Sequence, residues 1–128
     1  MEGYLLDTHT LVWFLEGDSK LKKKFRQTIT ESSEKKYISI VSIWEIALKV
    51  SIGRLETDFS VEEIRLLIDR NGFLLMPIDH SHCLNIIDLP FHHKDPFDRM
   101  MIAQAITENL TFITQDQNIL LYKEVTIL

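Results

Sequence analysis

Short apolar runs alternate with longer amphipathic stretches along the chain. Tyr4-Leu5-Leu6 is compact and apolar and predicts a buried strand, followed by a helix over Thr10–Leu15 with an almost wholly apolar face. Ser19–Ser33 carries Leu21, Phe25 and Ile29 at i, i+4 and i+8, which is one helical stripe. Tyr37–Val41 is aromatic and β-branched and predicts a second strand, and Ser42–Ile52 a helix stopped by Gly53. Ser60–Arg70 is a helix with Ser60 and Glu63 in capping-box spacing and Asn71-Gly72 as its stop. Phe73–Ile78 is a third strand, and Ser81–Ile87 a short helix ended before Pro90. Pro96–Asn109 is a helix, Thr111–Thr114 a fourth strand, Asn118–Tyr122 a helical turn and Val125–Leu128 a last short strand. Strands that alternate with helices make βαβ units, hence an α/β fold with a mostly parallel sheet of four to five strands, covered on both faces and joined by right-handed crossovers.

Length bounds this picture. A chain of 128 residues, 45 % hydrophobic and 26 % charged, suits one domain over 1–128 with a core that needs no staple. The lone Cys83 makes no internal disulfide, so a reducing compartment is expected. The longest apolar run, Leu11–Leu15, is far below the ~20 residues of a bilayer span. With no basic and apolar leader, the expected location is the cytoplasm. A net charge of −5 argues at first sight against a nucleic-acid partner.

The positions of certain acids alter that inference. Asp7 follows the first predicted strand, Glu45 lies in the first turn of the helix after the second, Asp98 in the first turn after Pro96, and Asp116 follows the fourth strand. In a parallel sheet these positions gather on the edge where open α/β sheets bind ligands. Each acid alone is explained by capping: Ser42 and Glu45 have capping-box spacing, and Asp95-Pro96-Phe97-Asp98 reads as an N-cap, a Pro at N1 and an acid at N3. Together they conflict. Two carboxylates ~4 Å apart repel by roughly 4 kcal/mol at an effective dielectric of about 20. Such a cluster shares protons or holds a cation. Oxygen donors without Cys or converging His suit a hard ion such as Mg²⁺ or Mn²⁺, one or two of which activate water for phosphodiester hydrolysis.

Leu5-Leu6-Asp7-Thr8-His9, Ser42-Ile43-Trp44-Glu45-Ile46-Ala47, His92-His93-Lys94-Asp95-Pro96-Phe97-Asp98-Arg99 running into Ile102-Ala103-Gln104-Ala105, and Ile113-Thr114-Gln115-Asp116 closely resemble the PIN-domain proteins. The nearest resemblance is to the VapC-type toxin ribonucleases, with the motifs in family order over essentially the whole chain. It implies an α/β/α sandwich, a Mg²⁺- or Mn²⁺-dependent endoribonuclease, an inhibiting antitoxin and a homodimer. Asp7, Glu45, Asp98 and Asp116 fall on the family's acidic quartet. Asp7 and Asp98 are the expected direct metal ligands, with Glu45 and Asp116 binding directly or through water. Thr8, Thr114 and Asp95 are expected in support, Asp95 as a cap. Arg99, His93 and Lys94 are candidate substrate contacts, with pairing to an acid the alternative for Arg99. Gln115 departs from the family's Thr-Arg-Asp, which puts a substrate contact there in doubt. Alternatives are a PIN-type nuclease of RNA processing or DNA metabolism outside a toxin pair, and a catalytically silent RNA- or protein-interaction module. A haloacid-dehalogenase-type phosphatase would place an Asp where His9 stands.

Other residues have plainer explanations. His80, His82 and Cys83 lack the fourth ligand of a zinc site, and Cys83 is expected to be partly buried. His9 is expected to pack near the first helical turn, and Trp13, Phe14, Trp44, Met100 and Met101 to serve core or dimer packing. Leu11–Leu15 or Ile46–Ile52 offer a groove for a partner helix. Lys20, Lys22, Lys23, Lys24 and Arg26 form either the wet face of a helix or a phosphate-steering ridge. Residues 20–36 carry a net +5, leaving −10 for the remainder. The overall acidity is therefore in part the signature of a cation site.

Overall fold

The computed structural model describes residues 3–128. Strands β1 (Tyr4–Leu6), β2 (Lys36–Ser39), β3 (Leu74–Met76) and β4 (Thr111–Ile113) form an all-parallel sheet in the order β3-β2-β1-β4. Helices α1 (Thr8–Glu16), α2 (Lys23–Glu31), α3 (Ile40–Ser51), α4 (Val61–Arg70), α5 (His80–Ile86) and α6 (Pro96–Glu108) surround it, with a 3₁₀ turn at Ile119–Leu121. The pleat divides the apolar residues between two cores. Leu5 and Phe112 face one with Met101, Ile102 and Tyr122; Leu6, Ile38 and Ile113 face the other with Leu11, Phe25 and Ile68. This is the expected α/β fold with both faces covered.

The register fixes where chemistry can gather. Leu6 pairs with Ile38 on one side and Ile113 on the other. The chain therefore leaves β1 at Asp7 beside the exit from β4. Gly3 enters β1 at φ 146°, and a Cβ there would lie 2.7 Å from the Lys35 carbonyl oxygen, so only glycine fits this approach.

Several boundaries differ from the sequence reading. Helix α1 begins at Thr8, two residues early, because Asp7 caps it by accepting from the Thr10 N–H (2.8 Å). Helix α3 begins at Ile40, because Ser39 supplies the cap by accepting from the Val41 N–H (3.0 Å). Glu45 therefore lies beyond the first turn, and the capping box expected of Ser42 and Glu45 is absent. The predicted helix over Ser19–Ser33 contracts to α2, with Leu21 buried ahead of it. The last strand is reduced to one parallel bridge, Phe112 to Ile127. The Ser60–Glu63 capping box is formed. No helix among the described residues is long and apolar enough to cross a membrane.

Candidate active site

Burial and hydrogen bonding fix Asp7 first. Its side chain is 5 % exposed. One oxygen caps α1, and the other accepts from the Thr114 hydroxyl. Burial raises its pKa above the ordinary carboxylate value, against the opposing hydrogen bonds from Thr114 and Thr10. Thr114 also accepts from the Asp116 N–H (3.1 Å), so one hydroxyl links the two acids that follow β1 and β4.

Glu45 arrives from the second turn of α3. It accepts from the Thr8 hydroxyl (2.6 Å) and pairs with Lys49 one turn on (2.5 Å). Burial pulls the Lys49 ammonium down, but the hydrogen bond and charge of Glu45, with Asp95 and Asp98, outweigh it and raise its pKa. Asp98 sits at N3 of α6, behind the expected Asp95 cap and Pro96 at N1. Burial, then the charges of Asp95 and Glu45, push its carboxyl up to about 7, while the hydrogen bond from His93 acts the other way. His93 Nε2 and Asp98 Oδ2 share a hydrogen bond (2.6 Å), and the same nitrogen lies 3.4 Å from Asp116 Oδ2.

These groups line one cleft of about 140 Å³: Asp7, Thr8, His9, Glu45, Lys49, His93, Asp95, Asp98 and Asp116. The four acids singled out from sequence are thus brought together at the strand C-termini. Asp95 joins them as the α6 cap while lining the same cleft.

One cleft residue was not singled out from sequence, and another takes a different role from the one expected. Lys49 reads from sequence as an ordinary helix lysine; its i+4 spacing from Glu45 was the available signal. His93, a candidate substrate contact from sequence, is instead held between Asp98 and Asp116, and ligand atoms of the three lie within 4.8 Å of one another. Among the described residues, the candidate ligand atoms that converge this closely are thus two carboxylates and one imidazole, where oxygen alone was expected.

Arg99 corrects both roles offered for it. It is 6 % exposed, does not line the cleft, and pairs with no carboxylate among the described residues. Its guanidinium donates to the Pro90 (2.9 Å), Leu89 (3.4 Å) and Ile86 (3.5 Å) carbonyls and the Tyr122 hydroxyl (3.2 Å), and covers the Phe91 ring at 4.1 Å. Arg99→Met removes this buried charge-assisted cluster and takes the donor from the Leu89 carbonyl, while Pro90 keeps the Tyr122 hydroxyl and Ile86 keeps the Leu89 N–H. It should cost about 3 kcal/mol of stability by urea denaturation, with activity per folded molecule retained. Lys94 is exposed outside the cleft lining.

The remaining expectations divide. His82 is buried between the Asp79 N–H and Glu108 Oε2 (2.8 Å), a structural role. Cys83 is exposed, not partly buried, because it lies on the outer face of α5. Met101 is fully buried, whereas Trp44 is 57 % exposed and makes a T-shaped ring contact with Phe97 (4.8 Å between centroids). Leu11 and Ile46 are core residues, so the exposed apolar side of the α3 candidate groove is Trp44, Leu48 and Ile52. Arg26 is drawn out of the basic run by the Trp13, Phe14 and Asp18 carbonyls.

Fold and site together define an α/β protein with a carboxylate cleft at the C-terminal edge of a parallel sheet. The PIN domain family model matches residues 4–125. The fold is shared with a chain of the VapBC2 complex from Rickettsia felis bound to promoter DNA (16 % identity, TM-score 0.72, covering 100 % of this chain and 98 % of that one). It is shared also with a chain of DNA-bound VapBC from Salmonella typhimurium (14 %, 0.71, 100 % and 98 %) and of FitAcB from Neisseria gonorrhoeae (17 %, 0.64, 97 % and 95 %). No curated protein matches the chain. The protein belongs to the PIN-domain family.

Proposed function

We propose that the chain is a single-domain, Mg²⁺- or Mn²⁺-dependent endoribonuclease, the toxin of a toxin–antitoxin pair. One observation carries the reading: Asp7, Glu45, Asp98 and Asp116 converge on one cleft, where Asp98 is pushed up to about 7 by burial and its acidic neighbours. That much negative charge in one place fits a cation, and the donor set of carboxylates with one imidazole is compatible with Mg²⁺ and more so with Mn²⁺. Asp7 and Asp98 would hold the ion directly, and Glu45 and Asp116 directly or through water.

A divalent ion bound there supplies an activated water and neutralises charge on the phosphoryl oxygens. The chain supplies the positioning. Thr114 and the α1 amide hold Asp7 in one rotamer, Thr8 and Lys49 orient Glu45, and His93 spans Asp98 and Asp116. Lys49 is the lysine lining the cleft and can face a phosphate that the carboxylates alone would repel.

A protein partner is supported by the structural neighbours, which are toxin–antitoxin complexes, and by the exposed Trp44, Leu48 and Ile52 on one side of α3. An antitoxin or a second copy would cover that side. A single free thiol and no membrane-spanning helix among the described residues suit a cytoplasmic setting.

Incubating total RNA with the protein in Mg²⁺, Mn²⁺ or EDTA tests the assignment. Discrete, end-mappable products with either metal and none with EDTA are expected. Intact RNA under all conditions would remove the nuclease reading.

A further inference from the structure

Beside the carboxylate cleft runs a second groove of about 270 Å³, lined by Asp7, His9, Trp13, Gln115 and Asp116. We propose that this groove is a nucleobase subsite, in which the rings of His9 and Trp13 seat the base flanking the scissile phosphate of single-stranded RNA. The inference rests on the ribonuclease reading of the cleft.

Continuity is the first argument. Groove and cleft share Asp7, His9 and Asp116, so they are two parts of one surface. A nucleotide whose phosphate meets the carboxylates has its own base within reach of the groove.

Ring geometry is the second. His9 and Trp13 stand one turn apart on α1, and their rings stack at 5.5 Å between centroids and 22° between planes. His9 is exposed, and none of the site's hydrogen bonds uses its ring. Trp13 is partly buried against the core, with its carbonyl held by Arg26 (3.3 Å). The result is an anchored aromatic wall at the mouth of the cleft. Unstacked bases in single strands bind such rings through their faces, whatever the base.

Charge at the lip is the third. Gln115 accepts from the Lys22 N–H (3.0 Å) and donates to the Lys20 carbonyl (3.1 Å). Its amide is thereby committed to the backbone. It also brings the exposed start of the basic segment, Lys20 and Lys22, to the rim of the groove. Acid toward the cleft, aromatic on the wall and basic at the lip is an order that suits one nucleotide with its next phosphate. The Gln115 departure from the family's basic residue is then a tether, with cationic charge supplied by the lysines it holds.

Two readouts test the subsite. In Mg²⁺, His9→Ala should raise KM for a short single-stranded RNA about tenfold with kcat nearly unchanged. Removing the flanking base from the RNA should raise KM for the wild type and add little for His9→Ala. His9 is exposed, so the fold should tolerate the change. The second readout needs no cleavage. In Asp7→Asn/Trp44→Phe, Trp13 is the remaining indole, and its fluorescence should be quenched by the RNA and less so by the RNA lacking that base. An unchanged KM in His9→Ala, or equal quenching by every abasic version, would overturn the subsite. Base-dependent quenching in a protein whose wild type cuts no RNA would sustain the subsite and overturn the ribonuclease reading instead.

Discussion

Asp7→Asn should lose metal-dependent RNA cleavage by well over about 100-fold while the protein becomes no less stable. Loss beyond the 10–100-fold typical of residues that merely support a metal ligand is what a direct ligand demands. The stability half follows from burial. Asp7 is 5 % exposed, and desolvation is the largest influence on its raised pKa. Asparagine keeps an oxygen for the Thr10 N–H, and Thr114 can turn its hydroxyl to accept from the new amide. A charge that is expensive to bury is removed and both hydrogen bonds survive. A purely structural Asp7 predicts instead that activity per folded molecule is kept. Thermal melts beside rate measurements separate the two.

Metal-free protein should lose stability as pH rises from about 4 to about 7. The Asp98 carboxyl is raised from 3.8 to about 7 in the folded chain, so between those values the folded state holds a proton that the unfolded state has released. Stability therefore falls across that window and levels off above it. A shift of this size corresponds to something on the order of 4 kcal/mol, spread over the acids that cause it. Asp98→Asn should flatten the profile. A divalent ion should do so as well, since an ion at 100 times its Kd adds about 2.7 kcal/mol, chiefly where the carboxylates are ionised. Denaturant midpoints measured from pH 4 to 8, with Mn²⁺ and with EDTA, give both curves. A metal-free profile that rises with pH would contradict the description of Asp98.

Where hydrophobic period and capping chemistry agree, the elements were legible from sequence. The Ser60–Glu63 box and the Asp95-Pro96-Phe97-Asp98 start of α6 stand as expected because their signals are local. The start of α3 was misplaced because Ser39 and Ser42 are both competent caps, and only the end of the ladder on β2 selects Ser39. That error had masked something useful, since Glu45 beyond the first turn has no capping explanation left. Grouping of the acids followed from topology, as a parallel sheet brings the ends of β1 and β4 together. His93, Lys49 and Arg99 were misjudged for the opposite reason. Their partners lie on other elements or depend on side-chain direction, so Lys49 passed as an ordinary helix lysine, while His93 and Arg99 read as substrate contacts.

The central claim is that the cleft is a divalent-cation site built on Asp7. Calorimetric titration of Mn²⁺ into wild-type and Asp7→Asn protein at pH 7.5 addresses it directly. The account predicts saturable binding of one or two ions to the wild type and loss of the tightest in Asp7→Asn. Equal Mn²⁺ affinity in the two proteins would contradict it.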